Sequence, residues 1–241
     1  MIRGLYSAAT GMAAAQQNHE ILAQNLANAT VPGYRRRGVA FESFEQGLNE
    51  LSNSQVSSDT LGTRPWKGFS GFEIGPVVYT GSPLDLAVDG DSFFVVQGPN
   101  GPLYTRNGTF KLSADGQLQT NDGLAVSGTN GPLTIPATAR DIAVGQDGTV
   151  SADQVQVGQL QLSRFADPGQ LVPAGTTLFE APDGLQPLSQ SGQVFQGYRE
   201  NSNVQVVNEM VSMIVGMRHF EAAQRALRTL SESIQLNTRP Q

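Results

Sequence analysis

Hydrophobic positions recur every seventh residue at both ends of the chain and alternate over short runs in the middle. In the first thirty residues Leu5, Met12, His19 and Leu26 form one such row, and Ala8, Ala15, Leu22 and Ala29 form a second row three residues later. Two rows at that offset mark a narrow stripe on a helix that packs along another helix. The second row is mostly alanine, which lets a partner approach closely. Val31-Pro32-Gly33 predicts the stop, because Pro disfavours helical geometry in the residue before it and Gly accepts a turn. Near the other end Val206, Met213, Phe220, Leu227 and Ile234 repeat at the same interval, with Met210 and Met217 in the adjoining row. Ser202 and Gln205 read as a capping box that opens this second helix, and Pro240 follows its end.

From Phe69 to Gly197 the texture is that of short strands. Asp-Gly steps at 89–90, 115–116, 122–123, 147–148 and 183–184 are hairpin signals where alternating apolar residues flank them. The clearest strands are 93–96, 109–112, 142–144 and 159–162. The expected class is therefore α+β: long N- and C-terminal helices forming a coiled-coil assembly domain, with a central, mostly antiparallel β domain. The expected division is an assembly helix over 1–33, an irregular connector over 34–75 and the β domain over 76–186. A return connector over 187–201 and a second assembly helix over 202–241 complete it. Neither helix has an evident partner in the β region, so each is expected to pack on the other and on the helices of further copies. A contact between different patches of successive copies that does not close generates a filament.

Composition narrows the function classes. Charged residues make up only 15% of the 241 residues, against roughly 25% in ordinary domains. A formal net charge of -6 argues against nucleic acid as a partner. The absence of cysteine removes disulfides, zinc–thiolate sites and thiol nucleophiles. No apolar run reaches the roughly 20 residues of a membrane span, so no membrane insertion is expected. Residues 1–15 loosely imitate a signal peptide, with Ala13 and Ala15 as the small pair. Ser7, Thr10 and Gly11 interrupt the apolar core, however, and the helical pattern runs on, so no cleavage is expected.

Candidate chemistry is sparse. His19 and His219, with Glu20 and Glu221 nearby, would need to meet in space to act as a metal or acid–base pair; packed or solvated positions are the expected reading. Asp89/Asp91 and Asp115/Asp122 do not fit a calcium loop. Asn28-Ala29-Thr30 and Asn107-Gly108-Thr109 match the glycosylation triplet, which arises often by chance. Arg35-Arg36-Arg37 is the one basic cluster, read as solvated or inter-subunit. No phosphate loop, nucleophile elbow or zinc helix motif occurs, so no enzyme activity, metal or cofactor is expected. Two rival readings are a cell-wall binding or cleaving β domain, with Glu180, Asp183 and Glu200 as conceivable carboxylates, and a soluble coiled-coil adaptor that closes into a small oligomer.

Three segments carry a resemblance. Residues 22–34, Leu-Ala-Gln-Asn-Leu-Ala-Asn-Ala-Thr-Val-Pro-Gly-Tyr, are similar to the N-terminal signature of the flagellar axial family of rod and hook proteins. Residues 81–90 with Phe93-Phe94, continued by 104–110 (Tyr-Thr-Arg-Asn-Gly-Thr-Phe), resemble its central motif. Ser202-Asn203-Val204 with Glu209-Met210-Val211 and Met213-Ile214 resembles its C-terminal signature. The match runs in order along nearly the whole chain and is closest to rod proteins of the FlgF and FlgG type. It implies a structural subunit of the basal-body rod in the periplasmic space, exported by the flagellar type III apparatus without signal cleavage. The implied partners are copies of itself, other rod and hook proteins, and the surrounding ring proteins. On this reading the assembly interface comprises Leu5, Met12, Leu22, Asn25, Leu26 and Asn28 of the first helix region. The second helix contributes Val206, Met210, Met213, Met217, Phe220, Leu227 and Ile234.

Overall fold

Glycine and proline cut the middle of the chain into strands of two to seven residues between Val77 and Glu200, and a helix stands at each end. The computed structural model describes residues 2–43, 63–136, 139–189 and 192–238. Internal contacts divide the chain into two compact units. One holds Met1–Ala27, Arg37–Phe69 and Gln205–Gln241; the other holds Asn28–Arg36 and Ser70–Val204.

The β unit is built around an antiparallel six-stranded sheet. Its strands are β5 (Ser92–Gly98), β6 (Gly101–Thr105), β14 (Leu162–Arg164), β15 (Val172–Pro173), β16 (Leu178–Glu180) and β17 (Leu188–Ser189), in the order β15-β16-β6-β5-β14-β17. Central strand β5 has hydrophobic residues at four successive positions because both its faces are covered. Phe94 and Val96 pack with Leu86, Phe110, Val126, Ile135 and Val150. Phe93 and Val95 pack on the other face with Tyr104, Phe165, Leu171 and Phe179. Rings meet edge to face in both layers, Phe94 with Phe110 at 5.2 Å and Tyr104 with Phe165 at 4.7 Å.

Around this sheet lie smaller pieces: the hairpin β7 (Phe110–Leu112) with β8 (Leu118–Thr120), the pair β9 (Ser127–Gly128) with β10 (Gly131–Pro132), and the three-stranded sheet β11 (Ile142–Val144), β12 (Thr149–Ala152) and β13 (Val155–Gln159). The Asp-Gly steps at 115–116, 122–123 and 147–148 fold the chain directly back on itself. Those at 89–90 and 183–184 join strands whose partners lie elsewhere. The run 159–162 is not one strand: β13 ends at Gln159 and β14 begins at Leu162 in a different sheet, with buried Leu160 at the crossing. The segment leading to the second helix also forms strands. There β18 (Val194–Gln196) pairs with β4 (Leu86–Val88), and β19 (Tyr198–Glu200) pairs with β3 (Val77–Tyr79).

In the other unit, α1 (Ile2–Ala27) packs on α2 (Val206–Thr238), and the ribbon of β1 (Arg37–Ser43) with β2 (Thr63–Ser70) lies in the stretch expected to be irregular. α1 ends four residues before Val31, and Ser202 does not cap α2. The Ser202 hydroxyl instead accepts from Val204 N at 3.1 Å, while the Gln205 carbonyl takes the first helical bond from Glu209 N at 3.0 Å.

The expected fold class is corrected here. The chain is a mostly β protein with one helix at each end, and the long terminal helices do not form a coiled-coil domain. Among their described side chains Leu22 is the one buried hydrophobe, and the other buried positions are Asn25 and Glu209. The facing row of α2, Met213, Gly216, Phe220, Ala223 and Leu227, is only half-buried, so no fully buried apolar seam of the coiled-coil kind runs along the helices.

Candidate assembly surface

Two polar locks hold the ends of the chain. In the helical unit, Asn25 is fully buried and acts as a strand edge for Arg37. Its Oδ1 accepts from Arg37 N at 2.9 Å, and its Nδ2 donates to Arg37 O at 2.8 Å. Nδ2 also donates to Glu209 Oε2 at 3.3 Å, which ties α1 to the first turn of α2. An amide side chain has both a donor and an acceptor to match a backbone pair, which explains Asn at this position.

In the β unit a buried carboxylate joins three distant segments. Arg35 Nη2 donates to Glu200 Oε1 at 2.6 Å, and Gly75 N donates to the same oxygen at 2.8 Å. Arg106 Nε lies 3.1 Å from Oε2 as an ion pair, outside the geometry of an aligned hydrogen bond. The Arg106 guanidinium also donates to the carbonyls of Val88, Gly90 and Ser92 and sits 5.6 Å from the centre of the Phe93 ring. Burial pulls Arg106 down to about 10, with Glu200 opposing and Arg35 adding to the fall. One residue further on, Arg36 N donates to Asn203 Oδ1 at 2.7 Å, and Asn203 Nδ2 reaches Gly71 O and Glu73 O. Gly33 takes φ +69, and a Cβ there would stand 2.3 Å from Asn107 N.

The expected interface residues separate into groups. Leu22 and Asn25 are buried; Met12, Leu26, Asn28, Met213, Phe220 and Leu227 are half-buried; Val206, Met210 and Met217 are exposed. The side chains of Leu5 and Ile234 lie outside the described residues. The half-buried row of α2 is Met213, Gly216, Phe220, Ala223 and Leu227, so the companion row is small residues rather than Met210 and Met217. Met210 and Met217 instead belong to an outward stripe with Val207, Val211, Ile214 and Val215, whose exposures run from 45% to 72%. A shallow groove of about 400 Å³ between α1 and α2 is lined by Ala15, His19, Gly216 and Phe220 among others. His219 is exposed and does not line it.

Neither lock is evident in the local sequence. The run Arg35-Arg36-Arg37 reads as solvated or inter-subunit, yet Arg35 is 1% exposed and buried within its own unit, whereas Arg36 is on the surface. Glu200, conceivable as a cell-wall-cleaving carboxylate, is consumed by two guanidinium groups and a backbone N–H.

The locking side chains Asn25, Arg35, Arg106, Glu200 and Glu209 fall inside segments that match known families. The model described as flagella basal body rod protein matches residues 5–35, the flagellar hook protein FlgE/F/G D1 domain matches 87–152, and the flagellar basal body rod FlgEFG protein C-terminal region matches 196–237. The chain is 33% identical over 258 residues to the flagellar basal-body rod protein FlgG of Caulobacter vibrioides, covering 97% of each. It is 31% identical to the FlgG of Buchnera aphidicola subsp. Schizaphis graminum, covering 98% of each. To the FlgF of Mesorhizobium japonicum it is 31% identical, covering 95% of this chain and 93% of that one.

Proposed function

The chain belongs to the flagellar basal-body rod protein family and is a structural subunit of the rod; we propose that it joins neighbouring subunits through the outward faces of its two terminal helices. The observation behind this reading is the apolar stripe Val207, Met210, Val211, Ile214 and Met217, which meets solvent in the single chain. A helix that hides only part of its apolar surface within its own unit has the rest available for another chain. The neighbours are copies of this chain and other rod and hook proteins, with the ring proteins outside them. The rod position implies the periplasmic space and delivery by the flagellar type III apparatus.

No catalytic role is part of the proposal. Glu180 and Asp183 are exposed and Glu200 is locked, which leaves the cell-wall-cleaving reading without a free buried carboxylate among these three. Among the described residues no helix is long and apolar enough to cross a membrane. The test is to purify basal bodies from cells with and without the gene. The chain is expected in the rod fraction, and its deletion is expected to leave basal bodies without hooks. Complete hook–basal bodies formed in its absence would overturn the reading.

A further inference from the structure

Three Asn-Gly steps occur in the chain, at 100–101, 107–108 and 130–131. Glycine has no side chain to shield its backbone nitrogen, so that nitrogen can approach the amide carbon of the asparagine before it. The fold treats the three steps differently. Asn100 and Asn130 sit at the tips of two-residue hairpins, in the matching stretches Gly-Pro-Asn-Gly-Pro-Leu over 98–103 and Gly-Thr-Asn-Gly-Pro-Leu over 128–133. Gly98 opposite Gly101 ends the β5–β6 ladder, and Gly128 opposite Gly131 ends the β9–β10 pair. Both asparagines are exposed, and a Cβ at Gly101 or Gly131 would meet nothing within 4 Å.

Asn107-Gly108 is held on both sides. Asn107 N donates to Thr105 Oγ1 at 3.0 Å, and Asn107 Oδ1 accepts from Thr109 N at 3.1 Å. Gly108 is buried, and its carbonyl accepts from Leu86 N at 2.9 Å. A Cβ on Gly108 would collide with the Leu86 carbonyl.

We propose that Asn100 and Asn130 are modification sites, converted by spontaneous deamidation in the folded chain, and that the fold protects Asn107. The proposal does not depend on the rod reading. The Gly nitrogen loses its proton and bonds to the Asn Cγ, and the Cγ–Nδ2 bond breaks as ammonia leaves. The five-membered succinimide so formed takes up one water at either carbonyl. Opening at one gives Asp; opening at the other gives isoaspartate, whose main chain carries an extra methylene. No electrons are exchanged, and water is the sole co-reactant.

Freedom to reach the attacking geometry decides the rate. Opening the end pair of a ladder breaks few contacts, so hairpin tips fray at low cost. At 107–108 the same motion must break the Thr109 and Leu86 hydrogen bonds and shift a buried segment. The products change the tips. Each conversion adds a negative charge to a chain already at -6. At position 100 that charge enters a shallow pocket of about 270 Å³ that Glu180 also lines, bringing like charges together. Isoaspartate at either position lengthens a two-residue turn and so opposes the register that the turn sets.

The test ages the purified full-length chain at neutral pH, folded and in guanidinium chloride. Mass spectrometry follows the peptides that hold the three asparagines, and isoaspartyl methyltransferase labels the isoaspartate in each. In the folded chain Asn100 and Asn130 are expected to convert at least about tenfold faster than Asn107. In denaturant all three are expected to convert at similar rates. Asn107 converting as fast as the tips in the folded chain overturns the proposal, and so does either tip that is as slow as Asn107. An Asn107 that stays slow in denaturant assigns its protection to local sequence and overturns the proposal equally.

Discussion

The Glu200 carboxylate and the Arg35 guanidinium meet at 2.6 Å, each with its side chain 1% exposed and 165 residues apart in sequence. Arg106 approaches the other oxygen, so two buried cations share one anion. Such a cluster adds little net stability over an apolar replacement, but removing one partner strands the other charges away from water. Glu200→Gln is therefore expected to lower unfolding stability by about 3–5 kcal/mol in urea melts. A loss below 1 kcal/mol would show that water reaches Arg35 and Arg106.

Gly33 and Gly90 make a paired test of backbone geometry. Both have positive φ, +69 and +64, but a Cβ at Gly33 would collide with the backbone of Arg106 and Asn107, whereas the space at Gly90 is open. Gly90→Ala is expected to cost about 1–2 kcal/mol, the usual penalty for a left-handed residue. Gly33→Ala must also displace a main chain and is expected to cost at least twice as much by the same melts. Equal losses would mean that the segment before Tyr34 is free to move.

Asn25→Ala removes both partners of the Arg37 backbone and one contact of Glu209. Buried groups left unpaired cost about 1–3 kcal/mol each. The expected outcome is faster amide exchange at the end of α1 and in β1, with the β unit unchanged. Faster exchange spread through β5 and β6 would contradict the division into two units.

Local pattern is legible in the sequence where it fixes strands and turns. The run Phe93-Phe94-Val95-Val96 is legible as a strand, though its burial on both faces is not, and three of the five Asp-Gly steps mark direct chain reversals. Long-range polar pairing was not legible: nothing local to Arg35 indicates that Glu200 will lie against it, so a three-arginine run reads as surface. The heptad row of α2 was visible in its large members. Its companion row is glycine and alanine, which hydrophobic periodicity scarcely registers, whereas the more conspicuous Met210 and Met217 face outward in the single chain.

The strands β18 and β19 bear on where the β unit can be cut. Val194 is buried in the main core and pairs with Val88, and β19 completes the ribbon with β3. A fragment of residues 76–186 lacks both and is expected to unfold without a cooperative transition. Residues 28–204 retain every segment of the β unit and are expected to melt cooperatively. A sharp transition in the shorter fragment would show that the core closes without these strands.

The central claim is that this chain is a rod subunit whose outward α2 stripe holds its neighbours. Ile214, 52% exposed in that stripe, is the position at which to ask. Ile214→Asp adds a charge where the single chain meets water, so its unfolding curve is expected to match wild type. In an assembled rod the same carboxylate would be buried without a partner, at a cost of several kcal/mol per contact. The decisive measurement is the amount of Ile214→Asp chain in purified basal bodies, compared with the amount of folded chain in the same cells. The account predicts normal folded chain, rods that fail to incorporate it, and cells without hooks. Incorporation at the wild-type level, with hooks and motility intact, would contradict it.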